Sequence, residues 1–101
     1  MSEESVEEIK RQENERRKNS AYLTNLINNN SKFRSNYADK FVAVLDCKIV
    51  DYDKDFSKLV DRIMKNYNLN GLLCAAIDYV PEYTISSALS KYLNKVFVAA
   101  V

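Results

Sequence analysis

The pattern of apolar residues predicts an α+β fold: a long N-terminal helix, then a β-hairpin, a helix, a strand, a short helix and a C-terminal strand, packed as a small helix-covered sheet. Three observations predict it. Phe41-Val42-Ala43-Val44-Leu45 and Lys48-Ile49-Val50 are apolar, β-branched runs separated by two residues, the spacing of a hairpin. Phe56, Leu59, Val60, Ile63, Met64 and Tyr67 then recur at i, i+3, i+4, i+7, i+8 and i+11, a single helical stripe. Leu72 to Val80 is nearly all apolar and closes at Pro81, as expected of a central strand covered on at least one face.

Residues 3 to 30 read as one helix. Ser2 is positioned to cap it, and Glu3, Glu4, Glu7 and Glu8 set negative charge near its positive N-terminal end. Glu7 faces Arg11, and Glu13 faces Arg17, at i,i+4 spacing. The apolar positions are Val6 and Ile9, then Ala21, Tyr22, Leu23, Leu26 and Ile27, with none between Lys10 and Asn19. That middle third is predicted to stay solvated, while the second half packs. Asn28-Asn29-Asn30-Ser31 ends the helix, because asparagine tolerates the left-handed conformation and competes for backbone hydrogen bonds. The chain divides accordingly into an N-terminal helix over 1–31, exposed and charged in its middle, and a compact α+β domain over 32–101.

Phe33 and Tyr37 fall in a short helical turn that leads to the first strand. In the hairpin, Asp46 suits the first turn position, whereas Cys47 stands where positive φ favours glycine, so the turn is either strained or of another type. Asp53 or Asp55 caps the following helix, and Asn68, Asn70 and Gly71 stop it. Thr84 caps a second stripe of Ile85, Ala88, Leu89, Tyr92 and Leu93, and residues 96–101 form a terminal strand. A helical link between the last two strands would let them pair in parallel.

Composition excludes more than it assigns. Fifteen basic against fourteen acidic side chains leave a net charge of +1, hence no global field to attract polyanions. Histidine is absent, which removes Ser–His and Cys–His nucleophile pairs and imidazole metal ligands. Gly71 is the only glycine, so phosphate-cradling and dinucleotide-binding loops are ruled out. No catalytic or metal site and no cofactor is expected, and the chain reads as a protein other than an enzyme. The expected location is cytoplasmic, without a membrane: no stretch approaches the ~20 apolar residues of a span, and Met1-Ser2-Glu3-Glu4 is unlike a signal peptide. Cys47 and Cys74 make no disulfide framework; Cys74 reads as a small core residue and Cys47 as exposed in the turn.

Asp51, Asp53 and Asp55 alternate like the opening of a calcium loop, but Phe56 and Arg62 stand where an EF-hand needs Gly and Glu. Helix capping and a solvated loop account for the same carboxylates. Lys10, Arg11, Arg16, Arg17 and Lys18 suggest a basic patch on an exposed helix, interrupted by Glu13 and Glu15. The aromatic residues Phe33, Tyr37, Phe41, Tyr52, Tyr67, Tyr79 and Tyr83 lie on or beside the apolar stripes, where packing explains them better than ligand stacking. Val6 and Ile9, isolated from every other apolar residue, are the remaining oddity: a helix that extends beyond its own core frays or finds another surface.

Residues Tyr37, Phe41, Val42, Ala43, Val44, Asp46, Ile49, Val50, Asp55, Leu59, Ile63, Leu72 and Pro81-Glu82 carry a pattern. It runs from an aromatic-V-A-V strand through an Asp-Gly turn, a V-V strand and a Leu-rich helix to a strand closing near Pro-Glu. In this pattern the segment from Tyr37 to Glu82 resembles a small archaeal and bacterial domain of unknown function, with Cys47 in place of the usual glycine. The resemblance supports the fold and implies no activity. The functional expectation is therefore a protein-interaction or regulatory module, homodimeric in one form, using Val6, Ile9, Leu23 and Ile27 for contact and any exposed sheet edge second. The alternative is a nucleic-acid-binding regulator using Lys10, Arg11, Arg16, Arg17 and Lys18.

Overall fold

A computed structural model of the chain describes residues 3–82. The elements run α1 (Glu3–Asn29), α2 (Ser31–Tyr37), β1 (Lys40–Leu45), β2 (Lys48–Asp53), α3 (Phe56–Cys74) and β3 (Ala76–Val80). The expected Ser2 cap, second short helix and terminal strand with its parallel pairing lie outside the described residues.

The sheet order is β2-β1-β3, and both neighbours run antiparallel to β1. β2 and β3 are thus parallel to each other, joined through α3 with β1 between them. Because successive strand residues point to opposite faces, β1 supplies both halves of the core. Val42 and Val44 meet Leu23, Ile27, Phe33 and Val80 on the face covered by α1 and α2. Ala43 meets Leu59 and Ile63 of α3 on the other face. A strand covered on both faces has no polar alternation, which explains the unbroken FVAVL run. The central strand is therefore β1, and the strand expected at the centre, β3, flanks it.

The Asp46-Cys47 turn keeps the hairpin geometry that the two-residue spacing requires. Asp46 has φ 51° and Cys47 φ 54°, both in the left-handed region, so the turn is a strained type I′ turn rather than another type. A non-glycine residue there costs about 1–2 kcal/mol. Cys47→Gly should therefore raise stability by about 0.5–1 kcal/mol after the added freedom of the unfolded glycine is deducted. A urea midpoint shift at unchanged slope measures it, and a fall in the midpoint would contradict the strain argument.

Two elements depart from the expected boundaries. β2 continues to Asp53, pairing Tyr52 with Val42 and Asp53 with Phe41 across a register shift between Ala43 and Val44. The helix does not stop before Leu72. It breaks at Asn68, where φ is 59° and ψ −173°, and resumes to Cys74. The Asn68 side chain accepts a hydrogen bond from Gly71 N at 3.3 Å, so it caps a new turn. Leu72 then packs on the Ala43–Leu59–Ile63 cluster from helical backbone, and the strand starts only at Ala76.

α1 is continuous from Glu3 to Asn29, and its polar middle is not wholly solvated. Asn19 is 1% exposed. Its amide donates to Cys74 O at 2.8 Å and accepts from Cys47 N at 2.9 Å. One side chain thus ties α1 to the end of α3 and to the hairpin turn. α2 is held to the end of α1 by Asn30, which caps Phe33 N at 2.9 Å, and by Arg34, which donates to Ile27 O at 2.6 Å.

Candidate functional site

The surface most unlike an ordinary solvated exterior lies where α1 runs beside the second segment of α3. Asn70 sets this junction. Its Oδ1 accepts from Arg11 Nη2 at 3.1 Å and from Gln12 Nε2 at 2.9 Å. Arg11 also pairs with Glu8 at 2.6 Å, an i,i+3 bridge in place of the expected Glu7 pairing. Asn19 closes the other end of the same contact.

A cleft of about 540 Å³ opens on one flank of the junction, toward the hairpin, and is lined by Arg11 and Glu15 of α1 and by Gly71 and Cys74 of α3. On the opposite flank a second cleft of about 380 Å³ is lined by Arg16, Ser20 and Leu23 with Phe56 and Ala75 to Asp78. A helix turns about 100° per residue, so Ile9, seven residues before Arg16, lies within about 20° of it. Ile9 therefore points to the second flank. Leu69 and Leu73 stack at i,i+4 on the same flank of α3, because Gly71 and Cys74 take the first cleft and Leu72 takes the core. The exposures are 38% for Val6, 42% for Ile9, 56% for Leu69 and 39% for Leu73. Val6 and Ile9 of α1 and Leu69 and Leu73 of α3 are thus exposed aliphatic side chains of a candidate apolar strip, beside a cleft that also carries Arg16, Arg17 and Asp78.

Of the four residues expected to make contact, only two belong to this strip. Leu23 and Ile27 are 1% and 8% exposed and sit in the core with Phe33, Val42 and Val44, so the folded domain uses them itself. The strip gains Leu69 and Leu73, which the sequence pattern assigned to the end of a helix and to a strand.

Four of the five basic residues share one broad face of α1. At about 100° per residue Lys10, Arg11, Arg17 and Lys18 fall within about 120°, and Arg16 lies outside that arc. Arg11 is held by Glu8 and Asn70, and Lys18 lies 3.6 Å from Glu15. Glu8, Asn70 and Glu15 thus engage two of the four cations on this face.

The Asp51, Asp53 and Asp55 carboxylates already have partners. Arg62 donates from Nε to Asp51 at 2.9 Å, from Nη1 to Asp53 at 2.7 Å and from Nη2 to both Asp51 Oδ1 and Tyr52 O. Asp55 caps α3 by accepting from Lys58 N at 3.2 Å. The guanidinium stands where the calcium-loop reading would put a cation. Among the described residues no cluster of three or more histidine, cysteine or acidic side chains is placed to hold a metal ion.

The Arg62 hydrogen bonds hold Asp51 below the usual carboxylate range. Asp53 is lowered first by the Asp55 backbone N–H it accepts and then by Arg62. A carboxyl lowered on folding stabilises the fold above its unfolded pKa, near 4, and that contribution disappears as pH falls through the folded value. Stability should thus be level above about pH 5 and drop below about pH 4. Arg62→Met should flatten that acid limb, measured by thermal midpoints from pH 7 to 2. An equally steep limb in the variant would assign the acid loss elsewhere.

The same cluster blunts a sheet edge. On β2, Tyr52 N donates to Asp51 Oδ1 at 2.7 Å while Tyr52 O accepts from Arg62. On β3, Tyr79 N donates to Asp78 Oδ1 at 2.9 Å. Both flanking strands thus carry an Asp-Tyr pair whose carboxylate takes the tyrosine's own N–H, which disfavours strand addition at those positions. The tyrosine rings pack on neighbours: Tyr52 on Tyr37 at 5.2 Å, and Tyr79 on Phe41 at 5.3 Å. These rings make edge contacts while remaining 48% and 42% exposed, outside the core the stripes predict, and Tyr83 lies outside the described residues.

Asn19, Asn70 and Arg62 escaped sequence reasoning. Asn19 had a legible signal, since it precedes Leu23 and Ile27 by four and eight residues and so continues their stripe. Asn70 and Arg62 had none, because their partners lie 58 to 59 and 9 to 11 residues away.

These features define a small α+β domain in which helices cover both faces of a three-stranded antiparallel sheet. Among the described residues no helix is long and apolar enough to cross a membrane. Residues 32–82, just over half of the chain, match the model of a family of unknown function, DUF5678, and the chain belongs to that family. The matched span covers α2 to β3 and leaves α1 outside. No curated protein and no solved structure matches the chain.

Proposed function

We propose that this protein is a non-catalytic protein-interaction module that pairs with a second copy of itself through the α1–α3 flank. The observation that supports this reading is the exposure of four large aliphatic side chains on the two helices, Val6, Ile9, Leu69 and Leu73, each 38–56% exposed. Transfer of one such side chain from water to a packed interface is worth about 1.5–3 kcal/mol when complete. A twofold arrangement lets the same strip serve both subunits, so no further complementary surface is required. The blunted strand positions at Tyr52 and Tyr79 leave helix packing the better route than sheet extension. The acidic partners of Arg11 and Lys18 offset part of the basic face, so nucleic acid has the weaker support.

Light-scattering mass on a sizing column tests the reading. The full chain should elute as a dimer, and Val6→Asp with Ile9→Asp should lower the mass to that of a monomer with an unchanged circular-dichroism spectrum. A wild-type monomer, or a variant that remains dimeric, would defeat it.

A further inference from the structure

The cleft on the other flank uses different residues and has a different chemistry. Its walls are the α1–α3 junction on one side and the hairpin turn on the other, with Arg11 and Glu15 facing Asp46 and Lys48. The lining thus carries two positive and two negative side chains. Arg11 is bonded to Glu8 and Asn70, and Glu15 lies 3.6 Å from Lys18. At the hairpin, Asp46 and Lys48 are exposed charges of opposite sign with no side-chain hydrogen bond or ion pair among the described residues. Two amides complete the donor set. The oxygen of Asn68 accepts from Gly71 N and that of Asn70 from Arg11 and Gln12, so both NH2 groups are left as donors at the cleft.

We infer that this cleft binds a small zwitterion of amino-acid type, with its carboxylate toward Lys48 and the Asn68 and Asn70 amides and its ammonium toward Asp46. Charge decides the class. A simple anion would face the Asp46 and Glu15 carboxylates, and a simple cation would face Arg11 and Lys48. A ligand that carries both signs a few bonds apart meets Lys48 and Asp46 each with its complement. Tyr67, Leu45, Val50 and Cys74 supply apolar lining for the remainder of the molecule, and a volume of about 540 Å³ falls in the range of small-molecule sites. The site is also held in shape: Asn19 at its lining is bonded to both the hairpin and α3, which fixes the spacing of the two walls.

The test is a nitrogen-15 NMR titration of the full chain with the free L-amino acids one at a time. At least one should give saturable shifts at the amides of Asp46, Lys48, Asn68 and Gly71. Its N-acetyl form, lacking the ammonium, and its carboxamide form, lacking the carboxylate, should each bind roughly tenfold or more weakly. Lys48→Ala and Asp46→Ala should weaken the parent by a similar factor while the rest of the spectrum is unchanged. No saturable shift with any amino acid would overturn the inference, as would equal binding of the blocked forms. Shifts confined to Val6, Ile9, Leu69 and Leu73 would overturn it as well. Dimer mass is read separately, so failure here leaves the interaction surface standing.

Discussion

Asn19→Ala should destabilise the protein by about 2–4 kcal/mol, a large share of the 5–15 kcal/mol that holds a domain of this size together. The reason is the pair of groups it would orphan. Cys74 O and Cys47 N are both bonded to the Asn19 amide, at 2.8 and 2.9 Å, and Asn19 itself is almost fully buried. Alanine removes both partners and leaves no polar atom within the helix to replace them, and each orphaned group costs about 1–3 kcal/mol. Asn19→Leu extends the Leu23–Ile27 stripe and should still lose stability, since greater apolarity does not satisfy an N–H or a C=O. Urea unfolding at constant slope is the measurement. A loss under about 1 kcal/mol for Asn19→Ala would mean that water replaces the amide and that the tie is dispensable.

Gly71→Ala should cost about 1–3 kcal/mol, the reverse of the ordinary result. Inside a regular helix alanine is favoured over glycine by about 0.5–1 kcal/mol. At Gly71 an added Cβ would stand against the Cβ of Tyr67 well inside contact distance. Neither atom is the free end of a side chain, so rotation cannot relieve the clash and backbone must move. In a regular helix residues four apart have Cβ atoms about 5–6 Å apart; the break at Asn68 brings these two together. The chain's single glycine is therefore explained by the kink. A thermal midpoint equal to or above wild type would show that the kink straightens at little cost.

Much of the fold is legible along the chain because it depends on local periodicity. The FVAVL run and the two-residue gap fall where they are read, and the stripe from Phe56 to Tyr67 is helical but fully buries only Leu59 and Ile63, with Phe56, Met64 and Tyr67 40–48% exposed. The Asp46-Cys47 turn was legible in place but not in type: the sequence leaves strain or another turn type open, and the structure gives both residues positive φ. Boundaries failed where a polar side chain intervened. Asn68 reads as a stop, and it is one, but its side chain starts the next turn and carries the helix through Leu72 to Cys74. Lys10 to Asn19 reads as solvated because hydrophobic periodicity cannot register an asparagine buried by its hydrogen bonds.

The candidate surfaces were less legible than the fold. Val6 and Ile9 were visible as apolar residues without neighbours in sequence. Their companions Leu69 and Leu73 come within reach only when α1 lies along the second segment of α3. The polar cleft assembles Arg11, Asp46, Lys48 and Asn70 from three separate elements, and no spacing within one element encodes it.

By itself, then, the amino-acid order determined most of the helix and strand segments and the position of the two-residue hairpin. Those follow from side-chain volume, branching and period, which act over a few residues. The tertiary structure decided that Leu23 and Ile27 belong to the core, that Arg62 occupies the aspartates, and that Asn19 joins three elements. It also decided that Leu69 and Leu73 join Val6 and Ile9 among the exposed aliphatic side chains, and that one cleft gathers Arg11, Glu15, Asp46 and Lys48. Those follow from contacts between residues far apart in the chain, whose partners are set only once the sheet and helices have packed.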